Sequence, residues 1–293
     1  MYVDSHVHLQ PHGEAPPMTR QRIELYVEAA RARGVEQIAI TEHLFRFREA
    51  YELLHGWWEQ DANAELSRTT RQYLEDHVSG SMADYVRVVE EAKAAGLPVL
   101  LGIEMDWLTG RGEALASFLK PYDWDIVLGS VHWIGAWGFD SGQPADMAEW
   151  ERRGADAAFD DYGALLRELA STGLADVLAH PDLPKLWGHR PHSFGPLHDA
   201  IVGAATTGRC AVEMNSNGWR KPNGEAYPAL PVLQRAREAG LSITLASDAH
   251  EPDRVGQRFD ELSALARSAG YEEFVSFEAR RASPHALPAA GAK

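Results

Sequence analysis

The 293-residue sequence predicts an α/β protein whose strands close into a barrel. Three observations carry this. Short apolar runs alternate with amphipathic stretches along most of the chain, the pattern of parallel strands joined by helices. Seven of the runs end in or beside His, Asp or Glu. The first (Asp4-Ser5-His6-Val7-His8) and the last (Ser247-Asp248-Ala249-His250) place two metal-ligand side chains two residues apart, so strand geometry turns both to one side. Ligand types at the ends of nearly all strands converge on one point only if the strands form a ring. In an open sheet, strands far from the switch point cannot share a site.

The elements follow in order. Tyr2–Val7 is the first strand. Thr19–Arg33 is a helix with Thr19 as N-cap, a stripe of Ile23, Tyr26, Val27 and Ala30, and Gly34 as terminator. Val35–Ile40 is the second strand, running into Thr41-Glu42-His43. Residues 44–80 carry Trp57 and Trp58 among polar residues and are expected to form an irregular insertion or lid. Met82–Ala95 is a helix closed by Gly96, Pro98–Ile103 a strand ending at Glu104, Gly112–Leu119 a helix, and Ile126–Val131 a strand ending at His132. A long connection over 133–155 holds Trp133, Trp137 and Trp150. Asp160–Ser171 is helical, and Ala175–Ala179 is a strand ending at His180. After a His/Pro/Gly loop at 184–196 come a helix (Leu197–Thr207), a strand (Cys210–Met214) flanked by Glu213, Asn215 and Asn217, and a helix (Ala229–Ala239). Ser242–Ala246 is the seventh strand, Phe259–Ala269 a helix, and Glu273–Phe277 a short final strand. Residues 1–282 are read as one domain and 283–293 as a disordered tail, because that tail is poor in large apolar residues.

Net charge is −15, which argues against general binding to nucleic acid or to an anionic membrane surface. An anionic substrate stays possible, since bound cations reverse the local field. The single cysteine, Cys210, permits no intrachain disulfide and is read as a buried small hydrophobe. Asp4, His6 and His8 interrupt any leader-like apolar run, and no segment approaches a membrane span, so a cytoplasmic protein is expected.

A single His at a strand end is ordinarily a hydrogen-bonded loop residue. Here His6, His8, His43, Glu104, His132, His180, Asp248 and His250 share one topological position, which argues for a metal centre. Imidazole with carboxylate suits zinc, manganese or iron. One catalytic zinc takes three protein ligands, so this set suits two or three divalent ions. Asp4 is placed to orient a ligating imidazole. His12 lies in a loop that can reach back to the site. His55, His77, His198 and His285 read as surface residues, and His189 and His192 as loop residues near His180.

The ordered set His6-x-His8, Thr41-Glu42-His43, Gly102-Ile103-Glu104, Gly129-Ser130-Val131-His132, Ala179-His180-Pro181-Asp182 and Ser247-Asp248-Ala249-His250 resembles the successive motifs of the PHP (polymerase and histidinol phosphatase) superfamily. The run Glu213-Met214-Asn215-Ser216-Asn217-Gly218-Trp219-Arg220-Lys221-Pro222 resembles its histidinol-phosphatase branch. The match covers roughly residues 3–258. The resemblance implies a distorted (β/α)7 TIM-like barrel with the metals at the C-terminal ends of the strands. It implies one ion on His6, His8, Glu104 and Asp248, a second on Glu104, His132 and His180, and a third on His12, His43 and His250. Two departures stand out: His12 follows His8 by four residues where six is common in the family, and segment 51–80 exceeds a minimal member.

The chemistry expected is hydrolysis of a small phosphomonoester, most specifically L-histidinol phosphate in histidine biosynthesis. Clustered metals activate water, clamp the phosphoryl oxygens and stabilise the leaving oxygen, so no covalent enzyme intermediate is needed. Asp248 and His250 are the candidates for proton management. Arg220 is the candidate phosphate contact, because a guanidinium fork matches phosphate oxygens. Lys185 is a further candidate anion contact, and Glu213 and Asn215 are candidates for a substrate amine or alcohol, or for ordering their loop. Three alternatives stay open: another small phosphate ester, a non-catalytic PHP metal-binding module, and an amidohydrolase-type barrel. The last usually bridges its metals with a modified lysine at strand four, where His132 stands here.

Overall fold

The computed structural model describes residues 2–11, 13 and 15–288. The barrel wall comprises β1 (Tyr2–Val7), β2 (Val35–Ile40), β3 (Val99–Asp106) and β4 (Ile126–Ser130). A small hairpin of β5 (Trp133–Ile134) and β6 (Trp137–Gly138) stands outside it, and β7 (Val177–Leu178), β8 (Ala211–Asn215) and β9 (Ile243–Ala246) complete the wall. These seven strands pair in parallel in the order β1-β2-β3-β4-β7-β8-β9. The ring closes beyond the strand ends: Asp248 N donates to His6 O (2.9 Å), His8 N donates to Ala249 O (2.8 Å), and Val7 bridges Ala249 in parallel. Two-residue β7 and a register that slips twice between β1 and β2 distort it. The result is the distorted (β/α)7 TIM-like barrel.

Helices α1 (Arg20–Ala32), α2 (Arg48–Leu54), α3 (Ala64–His77), α4 (Met82–Ala94), α5 (Gly112–Leu119), α6 (Pro144–Arg153), α7 (Ala155–Ser171), α8 (Gly195–Gly208), α9 (Leu230–Glu238) and α10 (Phe259–Ser268) fill the connections. In α1 the Thr19 hydroxyl accepts from Arg22 N at 3.2 Å, satisfying one free amide of the first turn, a contact of about 1 kcal/mol. Its buried face is Ile23, Tyr26, Val27 and Ala30.

Strand parity divides the barrel into two environments. Residues such as Ile40, Leu101, Ile103, Val127, Val212 and Leu245 face the helices in the main core. On the opposite parity, Ala39, Leu100, Ile126, Leu128 and Ala211 form a smaller apolar layer with Val275 and Phe277. Continued along the same strands, that parity reaches Thr41, Glu104, Ser130 and Glu213, all buried. The interior is therefore apolar below and polar above. Val275 and Phe277 come from β10 (Glu273–Glu278), which pairs antiparallel with β11 (Arg281–Ala286). Arg280 pins this hairpin beneath the barrel, with its Nε 3.0 Å from Asp176 Oδ2 and its backbone N donating to Asp125 O at 2.9 Å.

Three expectations are corrected. Segment 44–80 is not irregular: α2 and α3 occupy most of it, and Trp57 and Trp58 are buried. Residues 283–286 are not tail but strand β11, paired residue by residue with β10; residues 289–293 lie outside the described set. Glu104 sits inside β3, which runs on to Asp106, rather than at its end. The connection 133–155 likewise contains the β5–β6 hairpin and α6. Cys210 is buried, as expected, and burial pushes its thiol up to about 12. No helix among the described residues is long and apolar enough to cross a membrane.

Candidate metal centre

The strand-end residues converge. Glu104, fully buried, stands at the middle of the group. Its Oε2 lies 2.5 Å from His43 Nδ1 and 3.5 Å from both His6 Nε2 and His8 Nε2. Its Oε1 lies 3.0 Å from His180 Nε2 and 3.4 Å from His132 Nε2. Asp248 Oδ1 lies 3.4 Å from His8 Nε2 and 3.8 Å from His6 Nε2. His250 Nε2 lies 3.4 Å from His43 Nε2. His12 lies outside the described residues, so the structure does not bear on its expected place beside His43 and His250.

Backbone geometry supports the convergence. His180 and Asp248 both adopt left-handed backbone, with φ of 27° and 51°. That conformation costs about 1 kcal/mol or more for residues with a Cβ, and surrounding contacts must hold it. His180 N donates to Glu213 Oε1 (3.0 Å), and Asp248 N donates to His6 O (2.9 Å), which ties each turn to the neighbouring strand. The glycine of Gly102-Ile103-Glu104 answers a steric demand: a Cβ there would meet Thr41 Cγ2 at 2.6 Å and Ile126 Cγ2 at 2.8 Å.

Carboxylates behind the imidazoles aim them. Glu213 Oε2 accepts from His6 Nδ1 at 2.8 Å, and Asp106 Oδ1 from His132 Nδ1 at 2.5 Å. A carboxylate at Nδ1 holds the proton there and turns the Nε2 lone pair inward. Burial opposes charge on His132, but Glu104 and Asp106 outweigh it and push its pKa up to about 10. Burial likewise opposes ionisation of Glu104, and the imidazoles of His43, His6 and His132 overcome it, holding the carboxyl well below its usual range. Asp4 is placed differently from expectation: it receives Ser247 N (2.9 Å), Ser247 Oγ (2.5 Å) and Gly256 N (2.9 Å), so it holds the loop after β9 rather than an imidazole.

This donor set fits divalent cations. His6 Nε2 and His8 Nε2 face each other at 2.9 Å in a fully buried place. Inward lone pairs at that separation repel unless a proton or cation lies between them. The triads His6/His8/Asp248, His8/His43/His250, His6/Glu104/His180 and His43/Glu104/His132 each bring their ligand atoms within 4.8 Å of one another.

The other candidates separate. Arg220 is exposed and lines a cleft with Asp248, His250, Lys221 and Arg254. Its loop is set by Asn215, whose Oδ1 accepts from Asn217 N at 2.8 Å, and by Gly218, where a Cβ would meet Glu225 O at 2.2 Å. Glu213 and Asn215 are fully buried and bonded to each other (Nδ2 to Oε1, 2.8 Å). They order the site from behind and do not line the cavity. Lys185 is also corrected: it is 1% exposed, pairs with Asp182 Oδ2 at 2.8 Å and donates to Ala226 O at 2.7 Å, so its charge is engaged away from the centre.

The centre opens into a cavity of ≈ 340 Å³, within the range of small-molecule sites. One part of its lining is His43, His132, His180, Asp248 and His250; a second part includes Tyr73, His77, Trp133, Asp140, Asp146 and Trp187. That second wall escaped the sequence reading, which placed His77 on the surface. Thr70, Tyr73 and His77 share one face of α3, and Thr70 Oγ1 donates to Ala136 O at 2.5 Å, docking α3 on the β5–β6 hairpin. Trp57 Nε1 adds a bond to Gly135 O at 3.2 Å. Asn63, which caps α3 by accepting from Glu65 N, was the available signal. His189 stacks on Trp150 and His192 is exposed beside Asp156, so neither reaches the cavity.

Comparison with known proteins agrees with this geometry. Residues 6–217 match the PHP domain family. A probable histidinol-phosphatase of Deinococcus radiodurans is 34% identical over 96% of this chain and 98% of its own length. A probable histidinol-phosphatase of Schizosaccharomyces pombe is 24% identical over 95% of this chain and 90% of its own. Among solved structures, the histidinol phosphate phosphatase of Lactococcus lactis subsp. lactis, complexed with zinc, L-histidinol and phosphate, superposes with a TM-score of 0.65 at 19% identity, covering 96% of this chain and 98% of that one. A putative histidinol phosphatase from Listeria monocytogenes gives 0.68 at 20% identity, covering 88% and 99%. From its ordered strand-end motifs, its barrel and a family match over most of its length, the chain belongs to the PHP domain family.

Proposed function

We propose that this protein is a metal-dependent phosphomonoesterase that hydrolyses L-histidinol phosphate to L-histidinol and phosphate, as a step of histidine biosynthesis. The observation that carries the reading is the junction of two features: a buried set of imidazoles and carboxylates around Glu104, and a cleft at its mouth bearing Arg220. The relationship to the Deinococcus protein supports the choice of substrate.

In this reading His6, His8, Glu104 and Asp248 hold one divalent ion, and Glu104, His132 and His180 a second. His43 and His250, with His12, hold a third. Zinc, manganese and iron all suit such ligands. Bound cations would acidify a water and neutralise the phosphoryl oxygens. The chain's own groups do the rest. Glu213 and Asp106 keep His6 and His132 oriented through their Nδ1 atoms. Asn217 Nδ2 donates to Asp248 Oδ2 at 3.1 Å and fixes that carboxylate at the cavity wall. Arg220 supplies two parallel donors to phosphate oxygens. Water oxygen bonds to phosphorus, the ester P–O bond breaks, and the water proton passes through Asp248 or His250 to the leaving alkoxide.

A phosphate-release screen over a panel of small phosphomonoesters tests this, with Arg220→Ala alongside. Histidinol phosphate is expected among the best substrates. Arg220→Ala is expected to lower kcat/KM by about 10–100-fold, the cost of a charged hydrogen bond. A panel in which histidinol phosphate ranks poorly sinks the substrate assignment, and unchanged kinetics in the variant sink the phosphate contact.

A further inference from the structure

A second cavity shares the loop after β8 with the metal centre. Within residues 217–228, Asn217, Lys221 and Tyr227 line the cavity at the metal centre, whereas Trp219, Glu225, Ala226 and Pro228 line the other. The segment 182–190 divides in the same way: Leu183, Leu186 and Trp187 on the first side, Asp182, Lys185 and Arg190 on the second. None of the described candidate metal ligands lines this second cavity. Its volume is ≈ 430 Å³, within the range of small-molecule sites.

Its lining is apolar with paired charges. Half-buried Phe194, Trp219, Leu230 and Leu265 and buried Ala226 and Pro228 form the apolar body. His198 stacks on Phe194 with ring centroids 5.8 Å apart, and no hydrogen bond or ion pair among the described residues engages its imidazole. Burial lowers its pKa, so at neutral pH it offers one donor and one acceptor. Lys185, buried, holds Asp182 Oδ2 at 2.8 Å. Arg190 Nη2 meets Glu225 Oε1 at 2.9 Å, with side chains 45% and 41% exposed. An exposed pair of this kind is weak, so each partner can turn to a ligand at small cost. A simple anion would meet Glu225 and a simple cation would meet Arg190, and either leaves one charge unmatched. A molecule with both charges side by side and no net charge matches the pair, and its apolar remainder fits the body.

We propose that this cavity is a second binding site, for a free zwitterionic α-amino acid with a flat, ring-bearing side chain. The carboxylate pairs with Arg190, the ammonium with Glu225, and the ring lies among Phe194, Trp219 and Leu265. The site does not depend on the phosphatase reading. Its occupant touches, from the second cavity, the loop that carries Arg220.

Calorimetric titration of the intact protein with L-phenylalanine tests this. Three controls accompany it: 3-phenylpropionate and 2-phenylethylamine, which each lack one charge, and L-alanine, which keeps both and lacks the ring. L-Phenylalanine is expected to bind saturably, one per chain, and each control about tenfold or more weaker. Arg190→Ala is expected to weaken L-phenylalanine about tenfold or more and leave 2-phenylethylamine unchanged, with Arg190→Lys restoring part of the loss. Glu225→Gln is expected to weaken L-phenylalanine and leave 3-phenylpropionate unchanged. No saturable binding up to about 10 mM overturns the proposal, as does binding unmoved by both Arg190→Ala and Glu225→Gln. L-Alanine binding as well as L-phenylalanine would mean chelation at the metal centre and overturns it too, a readout that stands if either variant fails to fold. Turnover enters none of these measurements, so a failure of the phosphatase reading leaves them intact.

Discussion

The two walls of the cavity are built on different principles. The metal wall is made of residues at or just beyond the ends of barrel strands, held by backbone bonds to neighbouring strands and aimed by buried carboxylates such as Glu213 and Asp106. The second part of the lining draws largely on inserted pieces, α3, the β5–β6 hairpin and α6, the first two joined by a few contacts such as Thr70 to Ala136 and Trp57 to Gly135. On the first wall imidazoles and carboxylates crowd within ion-pair distance of one another, and His8 Nδ1, Asp106 Oδ2 and His180 Nδ1 have no hydrogen-bond partner. On the second, Asp146 Oδ1 has no hydrogen-bond partner and Asp140 makes no ion pair among the described residues. On the proposed reading the barrel fixes the reacting centre and the insertions shape the space beside it, so damage to one wall should read differently from damage to the other.

The largest effect is expected at Glu104, whose oxygens meet five imidazoles. Loss of an outer-sphere partner typically costs about 10–100-fold, so Glu104→Gln, which removes charge from the shared carboxylate, is expected to exceed about 100-fold in kcat/KM. Bound metal measured by elemental analysis should fall with it; full metal content and activity would remove Glu104 from the centre. Glu213→Gln should cost less, about 10–100-fold, because it leaves the ligands in place and loosens His6. A rise in KM with metal content unchanged would instead assign Glu213 to substrate binding and blur the distinction between the two walls.

The ligand wall was legible in the sequence for a physical reason. Strand periodicity is two, and His6/His8, Thr41/His43 and Asp248/His250 keep that spacing across strand ends. The same rule reaches Asp106, two residues after Glu104 on the continuing strand β3, and would have found the partner of His132. The insertion was less legible. Its Trp57 is buried by docking on a distant hairpin, and local composition does not announce such tertiary contacts. Lys185 shows the same limit from the other side: a lysine near an anion site looks available until Asp182 and Ala226 are seen to hold it. Glu213 was read from a motif and is indeed near the site, but it faces His6.

The smallest effect concerns Asp146 on the second wall. Burial pushes Asp146 up to about 6 from its ordinary 3.8, with the Asp140 charge adding to the shift. Between these pH values the native state keeps a proton that the unfolded chain has lost, so stability falls as pH rises through the window. Above pH 6 the full cost is present, on the order of 1–3 kcal/mol. Asp146→Asn removes it. The variant should gain Tm relative to wild type above about pH 6 and gain little below about pH 4. A pH-independent difference would mean that Asp146 does not carry this burden.

The most direct test is a zinc titration of the metal-stripped protein, following bound metal per chain and phosphate release from L-histidinol phosphate in the same samples. The account predicts at least two equivalents bound per chain, with turnover appearing as they bind and lost again on chelation. Full turnover by metal-free protein, or saturation at a single ion, would contradict it.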